Sequence, residues 1–287
     1  MPTLFTDMKT ISTVKEMQAL SDELRKDRRI AFVPTMGYLH EGHLALVRKA
    51  RELGDIVVVS IFINPIQFGP QEDLAKYPRD FGRDTKLLEQ EKTDIIFYPE
   101  SKEMYPKGYS TYIQVRDLQN HLCGKTRVGH FVGVATVVAK LFNVVKPHFA
   151  LFGQKDYQQL KIIERMAGDL NMDLEIVSCP TVREKDGLAM SSRNTYLSPD
   201  ERERALLIYA SMMKVEELVK SGVKNAEAIR EEARRILTSR DGVEIEYVSV
   251  ANTETLEEVD QIKDKALLAI ACTIGKTRLI DNTILEA

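Results

Sequence analysis

The sequence has few of the features that mark several large classes of protein. Only three cysteines occur in 287 residues, and their wide spacing indicates neither a disulfide framework nor a CxxC zinc site. The basic residues, 40 in number, nearly balance the 43 acidic ones, so no large nucleic-acid-binding surface is indicated. The most apolar run, residues 55–64, is about half as long as a membrane-spanning helix. Residues 1–12 lack the basic start and apolar core of a signal peptide. We therefore predict a cytoplasmic protein with neither a membrane nor a nucleic acid as partner.

The composition that remains is typical of a folded globular protein. Hydrophobic residues make up 44% of the chain and charged residues 29%, which is far from the composition of disordered segments. A chain of this length suits one large or two medium domains.

Apolar runs and amphipathic segments alternate through the first two thirds of the chain. The predicted strands are 29–35, 55–64, 94–99, 148–155 and 174–182, and the predicted helices are 14–26, 42–54, 80–92, 132–145 and 156–170. Strand–helix alternation with almost unbroken apolar strands predicts an α/β fold, a Rossmann-like doubly wound parallel sheet. We assign residues 1–182 to this catalytic domain, whose ligands would bind beyond the carboxyl ends of the strands.

The pattern changes after about residue 183. Ser198 and Glu201 have the spacing of a capping box, and Pro199 stands at the first helical position. Two amphipathic helices are predicted near 199–220 and 225–239, followed by strands at 244–251, 266–274 and 277–285. We therefore predict a smaller C-terminal α+β lid domain over residues 183–287, with 183–197 as a functional connection.

The segment PTMGYLHEGH (34–43) stands where a strand should pass into a helix. Its two histidines could bind a metal, cap and pack the helix, or contact a phosphate. HEGH is not the HExxH zinc motif, and no third ligand is suggested, so we predict no protein-bound metal. Gly37 and Gly42 would let a ligand approach the backbone, where unpaired N–H groups at the helix start attract phosphate. His40 and His43 could then donate ring N–H groups to a polyphosphate.

Other phosphate-binding motifs are absent. GKT occurs at 124–126 and 275–277, but the glycine that a P-loop requires is replaced by Gln119 and Ile270. The sequence also contains no GxGxxG, so a nicotinamide-type Rossmann site loses its main support.

Six sequence blocks form a pattern when they are taken together. They are PTMGYLHEGH (34–43), INPIQF (63–68), YPRD (77–80), GHFVGV (129–134), FGQKDYQQ (152–159) and AMSSRN (189–194). HEGH is a variant of the HxGH signature of nucleotidyl transferases and class I aminoacyl-tRNA synthetases, and the six blocks together resemble the pantothenate synthetase family of pantoate–β-alanine ligases. The resemblance implies ATP-dependent condensation of (R)-pantoate with β-alanine to pantothenate through pantoyl adenylate, with release of AMP and pyrophosphate. It also implies Mg²⁺ with ATP as substrate, no tightly bound organic cofactor, and a homodimer.

The resemblance also assigns roles to individual residues. His43 would be the catalytic acid, His40 would stabilise developing charge, and Lys155 would act on phosphate. Gln67 and Gln159 would bind pantoate, and Gln67 would also border the β-alanine site. The ATP-binding residues would be Met36, Gly37, Tyr38, Leu39, His40, Glu41, Gly42, His43, Gly153, Gln154, Lys155, Asp156, Val182, Met190, Ser191, Ser192 and Arg193.

Two further positions have weaker indications. Asp84 is a weak candidate neighbour of Mg²⁺ and is better explained as a residue on the surface of a helix. Arg127 and His130 lie in RVGHF (127–131), a segment that overlaps the family block at 129–134 and for which the sequence suggests no role.

Three alternatives remain open. A nucleotidyl transferase of the same superfamily would leave the adenylate on its product, although two carboxamides placed for a small hydroxy acid favour the ligase. A synthetase fragment acting on tRNA would need a basic domain. A silent nucleotide-binding protein would not need both histidines, Lys155 and residues 191–193.

Overall fold

The chain divides into two compact units. The structure, a computed structural model, describes residues 7–70 and 72–287. One unit contains the residues up to Val115, Arg127–Gly153 and Gln159–Pro180; the other contains Arg116–Thr126, Gln154–Gln158 and Thr181–Ala287. The division into domains 1–182 and 183–287 stays a prediction.

The first unit is built on a parallel sheet. Within the described residues its strand order is β1-β4-β3-β2-β5-β6, and every pairing is parallel. The strands are β1 (Lys9–Ile11), β2 (Ile30–Thr35), β3 (Ile56–Ile61), β4 (Ile95–Phe97), β5 (Phe149–Gly153) and β6 (Glu175–Cys179). The predicted Rossmann-like parallel sheet is thus confirmed.

Apart from two four-residue helices that were not predicted, α4 (Ser101–Met104) and α5 (Cys123–Thr126), the helices lie where the sequence pattern predicts them. The predicted helices are α1 (Val14–Leu24), α2 (Glu41–Leu53), α3 (Phe81–Gln90), α6 (His130–Val145), α7 (Tyr157–Asp169), α8 (Pro199–Lys220) and α9 (Ala226–Leu237). Helix α2 buries Val47 and Ala50 in one core with Ala31 of β2 and Val57 of β3. This packing holds the start of α2 at the carboxyl end of β2.

Some boundaries differ from the sequence-based prediction. Helix α6 begins at His130 rather than 132, directly after Gly129, whose φ of +85° ends the preceding turn. The short edge strand β1 was not predicted, because two of its three residues are exposed and give no apolar run.

The second unit pairs an antiparallel sheet with two long helices. The strands β7 (Val243–Ala251), β8 (Lys265–Ile274) and β9 (Thr277–Glu286) lie in that order. The capping box at α8 is confirmed: Ser198 Oγ accepts from the Glu201 N–H at 3.3 Å, and Glu201 accepts from the Ser198 N–H at 2.8 Å. The predicted α+β character is confirmed. Among the described residues, no helix combines the length and the apolar character that a membrane crossing needs.

Candidate active site

The loop after β2 is held at its start by the side chain of Thr35, the last residue of that strand. Thr35 Oγ1 donates to the Ser60 carbonyl at 2.7 Å and accepts from the Gly37 N–H at 3.2 Å. Gly37 has a φ of +81°, and a Cβ there would lie 2.9 Å from Ile61 Cγ2 and 3.1 Å from Asp84 Oδ2. Glycine is therefore required for both conformation and space, which lets the loop turn tightly toward α2.

The histidine pair lies at the start of α2. His40 is the N-cap residue and His43 lies in the first turn, so the helix begins at Glu41 rather than at Gly42 as predicted. The two ring centroids are 4.0 Å apart. The His40 N–H donates to His43 Nδ1 at 3.3 Å. Since Nδ1 accepts, the hydrogen of a neutral His43 ring lies on Nε2. His43 thus caps the helix with one nitrogen and presents a donor with the other.

Asp84 holds this loop from α3. Its carboxylate accepts from the Tyr38 N–H at 2.7 Å and from the Leu39 N–H at 2.8 Å. Its side chain is only 1% exposed, so the expectation of a surface residue was wrong. Burial raises the pKa of Asp84, and the two backbone donors oppose that shift. One sequence signal was available: Asp84 lies one helical turn before the buried Leu88, on the same face of α3.

Asp84→Asn is expected to lower the free energy of unfolding by about 1–3 kcal/mol, because an amide offers one acceptor where two backbone donors need one each. Asp80→Asn is the matched control. Asp80 caps α3 by accepting from the Arg83 N–H at 3.0 Å, and asparagine caps about as well as aspartate. Urea unfolding of both variants checks this, and equal losses would contradict the role of Asp84.

Gln67 lies in a short helical turn after β3, and its amide orientation is fixed. Asn64 Nδ2 donates to the Gly133 carbonyl and to Gln67 Oε1, each at 3.0 Å, and the Tyr105 hydroxyl donates to Asn64 Oδ1 at 2.7 Å. Since Gln67 Oε1 is used, its NH₂ group faces the loop after β2, with Nε2 3.1 Å from Met36 Sδ. The structure therefore brings the predicted Gln67 and Met36 together within the first unit.

In the second unit, Asn282 holds the turn that contains Lys155. Residues Gln154–Asp156 form a short helical turn after β5. Asn282 Nδ2 donates to the Gln154 carbonyl at 2.9 Å and to the Lys155 carbonyl at 2.8 Å. The sequence pattern predicted a strand over 277–285 and gave no functional role to Asn282, so this contact was missed.

The predicted functional connection forms a hairpin in the second unit. The Met190 N–H donates to the Val182 carbonyl at 3.0 Å. Ser191 Oγ accepts from the Arg193 N–H at 3.3 Å and so begins the next turn. Arg183 donates to both carboxylate oxygens of Asp281, at 2.5 and 3.1 Å. Neighbouring residues of β9, Asp281 and Asn282, therefore anchor the hairpin and the Lys155 turn.

Comparison with known proteins identifies the family of the chain. A family model described as pantoate-beta-alanine ligase matches residues 9–284. The chain belongs to the pantoate–β-alanine ligase family. It is 58% identical to the pantothenate synthetase of Thermotoga petrophila over 97% of this chain and 100% of that protein. The pantothenate synthetase structure from Thermus thermophilus has a TM-score of 0.92 at 44% identity, covering 96% of this chain and 99% of that one.

A second solved structure of the pantoate–β-alanine ligase family is a complex. The ligase from Francisella tularensis, complexed with β,γ ATP and β-alanine, has a TM-score of 0.79 at 33% identity, covering 97% of this chain and 98% of that one. These comparisons confirm the predicted family and the predicted ATP-dependent ligase.

The residue assignments in this pantoate–β-alanine ligase stay predictions. Those in the first unit are Met36–His43, Gln67, Gly153 and Gln159, and those in the second unit are Gln154–Asp156, Val182 and Met190–Arg193. Gln159 lies half-buried in the first turn of α7. Among residues 7–70 and 72–287, no group of three or more His, Cys, Asp and Glu side chains is arranged to hold a metal ion.

Proposed function

We propose that this ligase joins pantoate to β-alanine in two steps through pantoyl adenylate. A carboxylate oxygen of pantoate attacks the α-phosphorus of MgATP, the bond to the bridging oxygen breaks, and pyrophosphate leaves with the bonding electrons. The amine of β-alanine then attacks the acyl carbon, the bond to AMP breaks, and the nitrogen loses a proton. Adenylation is needed because a free carboxylate is a poor acyl donor.

The contact of Gln67 with Met36 is the main structural support for this proposal. The first step requires the acid and the α-phosphate to meet at attacking distance, and alignment of this kind can supply roughly 7–11 kcal/mol. Gln67 Nε2 lies 3.1 Å from Met36 Sδ, in the loop assigned to the ATP phosphates. With its NH₂ group facing the loop, Gln67 would donate to an oxygen of pantoate. Gln159 would hold a second pantoate oxygen, and Gln67 would also border β-alanine.

The histidines would stabilise the charge that develops on the phosphates. The Nδ1 of His43 accepts from the His40 N–H, so its Nε2–H is the group that can donate. His40, whose ring centroid is 4.0 Å from that of His43, would supply a second donor. The first backbone N–H groups of α2 would donate to phosphate oxygens, and the adjacent glycines would let the phosphates approach the backbone closely.

The assignments in the second unit rest on the family resemblance. Lys155 would contact phosphate, Asp156 the ribose, and the Val182 backbone the adenine. Met190 and residues 191–193 would contact the phosphates with two hydroxyls and one guanidinium, groups suited to phosphate oxygens. The anchoring of the Lys155 turn by Asn282 supports the assignment, because a lysine that binds phosphate gains from a fixed backbone.

Three further statements belong to the proposal. Mg²⁺ would enter with ATP, held mainly by phosphate and water. The homodimer rests on the family resemblance alone, and the cytoplasmic location rests on the sequence features described above. Sedimentation velocity would test the dimer.

AMP release from MgATP tests the function directly. Each of the three substrates, MgATP, pantoate and β-alanine, is omitted in turn, and AMP should appear only in the complete mixture. Pyrophosphate release with another acceptor and no AMP would favour a nucleotidyl transferase. Release of neither AMP nor pyrophosphate in any mixture would favour a protein that only binds nucleotide.

Asn282→Asp is expected to raise the KM for ATP about tenfold or more, because two donors are lost and a carboxylate then faces two carbonyl oxygens. Asn252→Asp is the matched control in the same unit. Asn252 Oδ1 only accepts, from the N–H groups of Glu254 and Thr255, and aspartate accepts equally well. Initial rates against ATP concentration check this; a similar KM in both variants would refute the anchoring role.

A further inference from the structure

The family block around Arg127 and His130 has no assigned role, yet it contacts Gln67. His130 Nδ1 lies 2.8 Å from the Gln67 carbonyl oxygen. A carbonyl can only accept, so Nδ1 carries the hydrogen and donates it. His130 thus fixes the backbone of Gln67, while Asn64 fixes its side chain.

Arg127 determines which nitrogen of His130 carries that hydrogen. Arg127 NH1 lies 3.0 Å from His130 Nε2, and a guanidinium can only donate. Nε2 is therefore the acceptor, and the ring is neutral with its hydrogen on Nδ1. The same contact that holds the ring in place selects the form that can donate to Gln67.

Glu72 holds Arg127 in turn. Its two carboxylate oxygens accept from Arg127 Nε at 2.8 Å and from NH2 at 2.6 Å. Burial favours the neutral form of Glu72, but the Arg127 hydrogen bond and charge prevail and leave its pKa lowered. This fork-to-fork pair fixes the plane of the guanidinium and so the direction of the NH1 donor.

We propose that Glu72, Arg127 and His130 form a relay of positioning residues that sets where Gln67 presents its amide to pantoate. The relay rests on the proposed function of Gln67. It acts through the backbone of Gln67, so its loss should affect pantoate rather than ATP.

Two substitutions of His130 separate the relay from simple packing. In His130→Asn the amide nitrogen can take the place of Nδ1 and still donate to the Gln67 carbonyl. In His130→Gln the amide takes the place of Nε2, so the contact with Arg127 survives and the donation to Gln67 is lost. The assay is pantoate-dependent exchange of pyrophosphate into ATP without β-alanine.

We expect His130→Gln to raise the KM for pantoate about tenfold, the effect of losing one hydrogen bond, with the KM for ATP changed less than about twofold. His130→Asn should keep the pantoate KM within about threefold of the unchanged protein. Equal pantoate KM values in the two variants would overturn the relay. No pantoate-dependent exchange in the unchanged protein would instead overturn the proposed function.

Arg127→Lys gives a second test that does not alter the histidine. A lysine ammonium has a single nitrogen. It cannot hold both oxygens of Glu72 and also donate to His130 as the NH1 group of the guanidinium does. We expect a higher KM for pantoate with the KM for ATP retained, and this variant decides the question if His130→Gln does not fold. An unchanged pantoate KM in Arg127→Lys would count against the relay.

Discussion

Replacing His43 with asparagine is expected to lower the rate of pantoate-dependent pyrophosphate exchange by a factor of roughly 10²–10³, the usual effect of removing one transition-state donor. The asparagine oxygen can still accept the His40 N–H that His43 Nδ1 accepts at 3.3 Å. The side chain no longer offers the donor that Nε2 provides. The variant should therefore stay folded while its rate of pyrophosphate exchange falls.

His148→Asn is the matched control for this variant. His148 Nδ1 also accepts a backbone N–H, that of Ile30, at 3.0 Å, but His148 has no role in the candidate site. Both variants should therefore melt at similar temperatures, and only His43→Asn should lose exchange activity. If the rate of His43→Asn falls only in proportion to its loss of folded protein, the histidine pair serves to cap and pack the helix.

Gly133→Ala is expected to lower the free energy of unfolding by about 3 kcal/mol, toward the upper end for overpacking. A Cβ at this position would lie 2.5 Å from the Ile66 carbonyl oxygen and 2.6 Å from Gln67 Cα. Both are backbone atoms, so relief requires the Gln67 turn to move away from α6. The KM for pantoate of this variant should therefore also rise, at temperatures where the variant is folded.

Gly168→Ala provides the comparison for the second prediction. Gly168 also lies in a helix, α7, but a Cβ there would meet nothing within 4 Å. Alanine is favoured over glycine in helices by roughly 0.5–1 kcal/mol, so Gly168→Ala should be neutral or stabilising. Urea unfolding and the KM for pantoate distinguish the two variants. A Gly133→Ala chain as stable and active as Gly168→Ala would show that the close packing is not required.

The sequence was sufficient for the parts of the fold that depend on local pattern. The apolar run 55–64 and the capping box at Ser198 each indicate an element without knowledge of the remainder of the chain. The predicted parallel sheet follows from the order of such elements. The edge strand β1 carries almost no apolar signal and could be recognised only from its pairing with β4.

The supporting residues of the site could not be predicted in the same way. Asp84 reaches the backbone of Tyr38 and Leu39 across 46 and 45 positions of sequence. Asn282 reaches the carbonyl of Lys155 across 127 positions. A single sequence gives no pairing information over such distances, and both side chains are of types that are usually solvated. The motif residues were recognisable because their neighbours in sequence are also their neighbours in space.

The two anchors on β9 make the length of one turn critical. Asp281 and Asn282 pair with Ile270 and Ala269 of β8, a register set by the turn at Gly275 and Lys276. Adjacent residues of a strand point to opposite faces, so a shift of one residue would exchange their directions. Inserting one residue in this turn would leave every side chain in the chain intact and yet direct both anchors away from their partners. The ligase should tolerate insertions in the longer segment between β7 and β8 far better than in this turn.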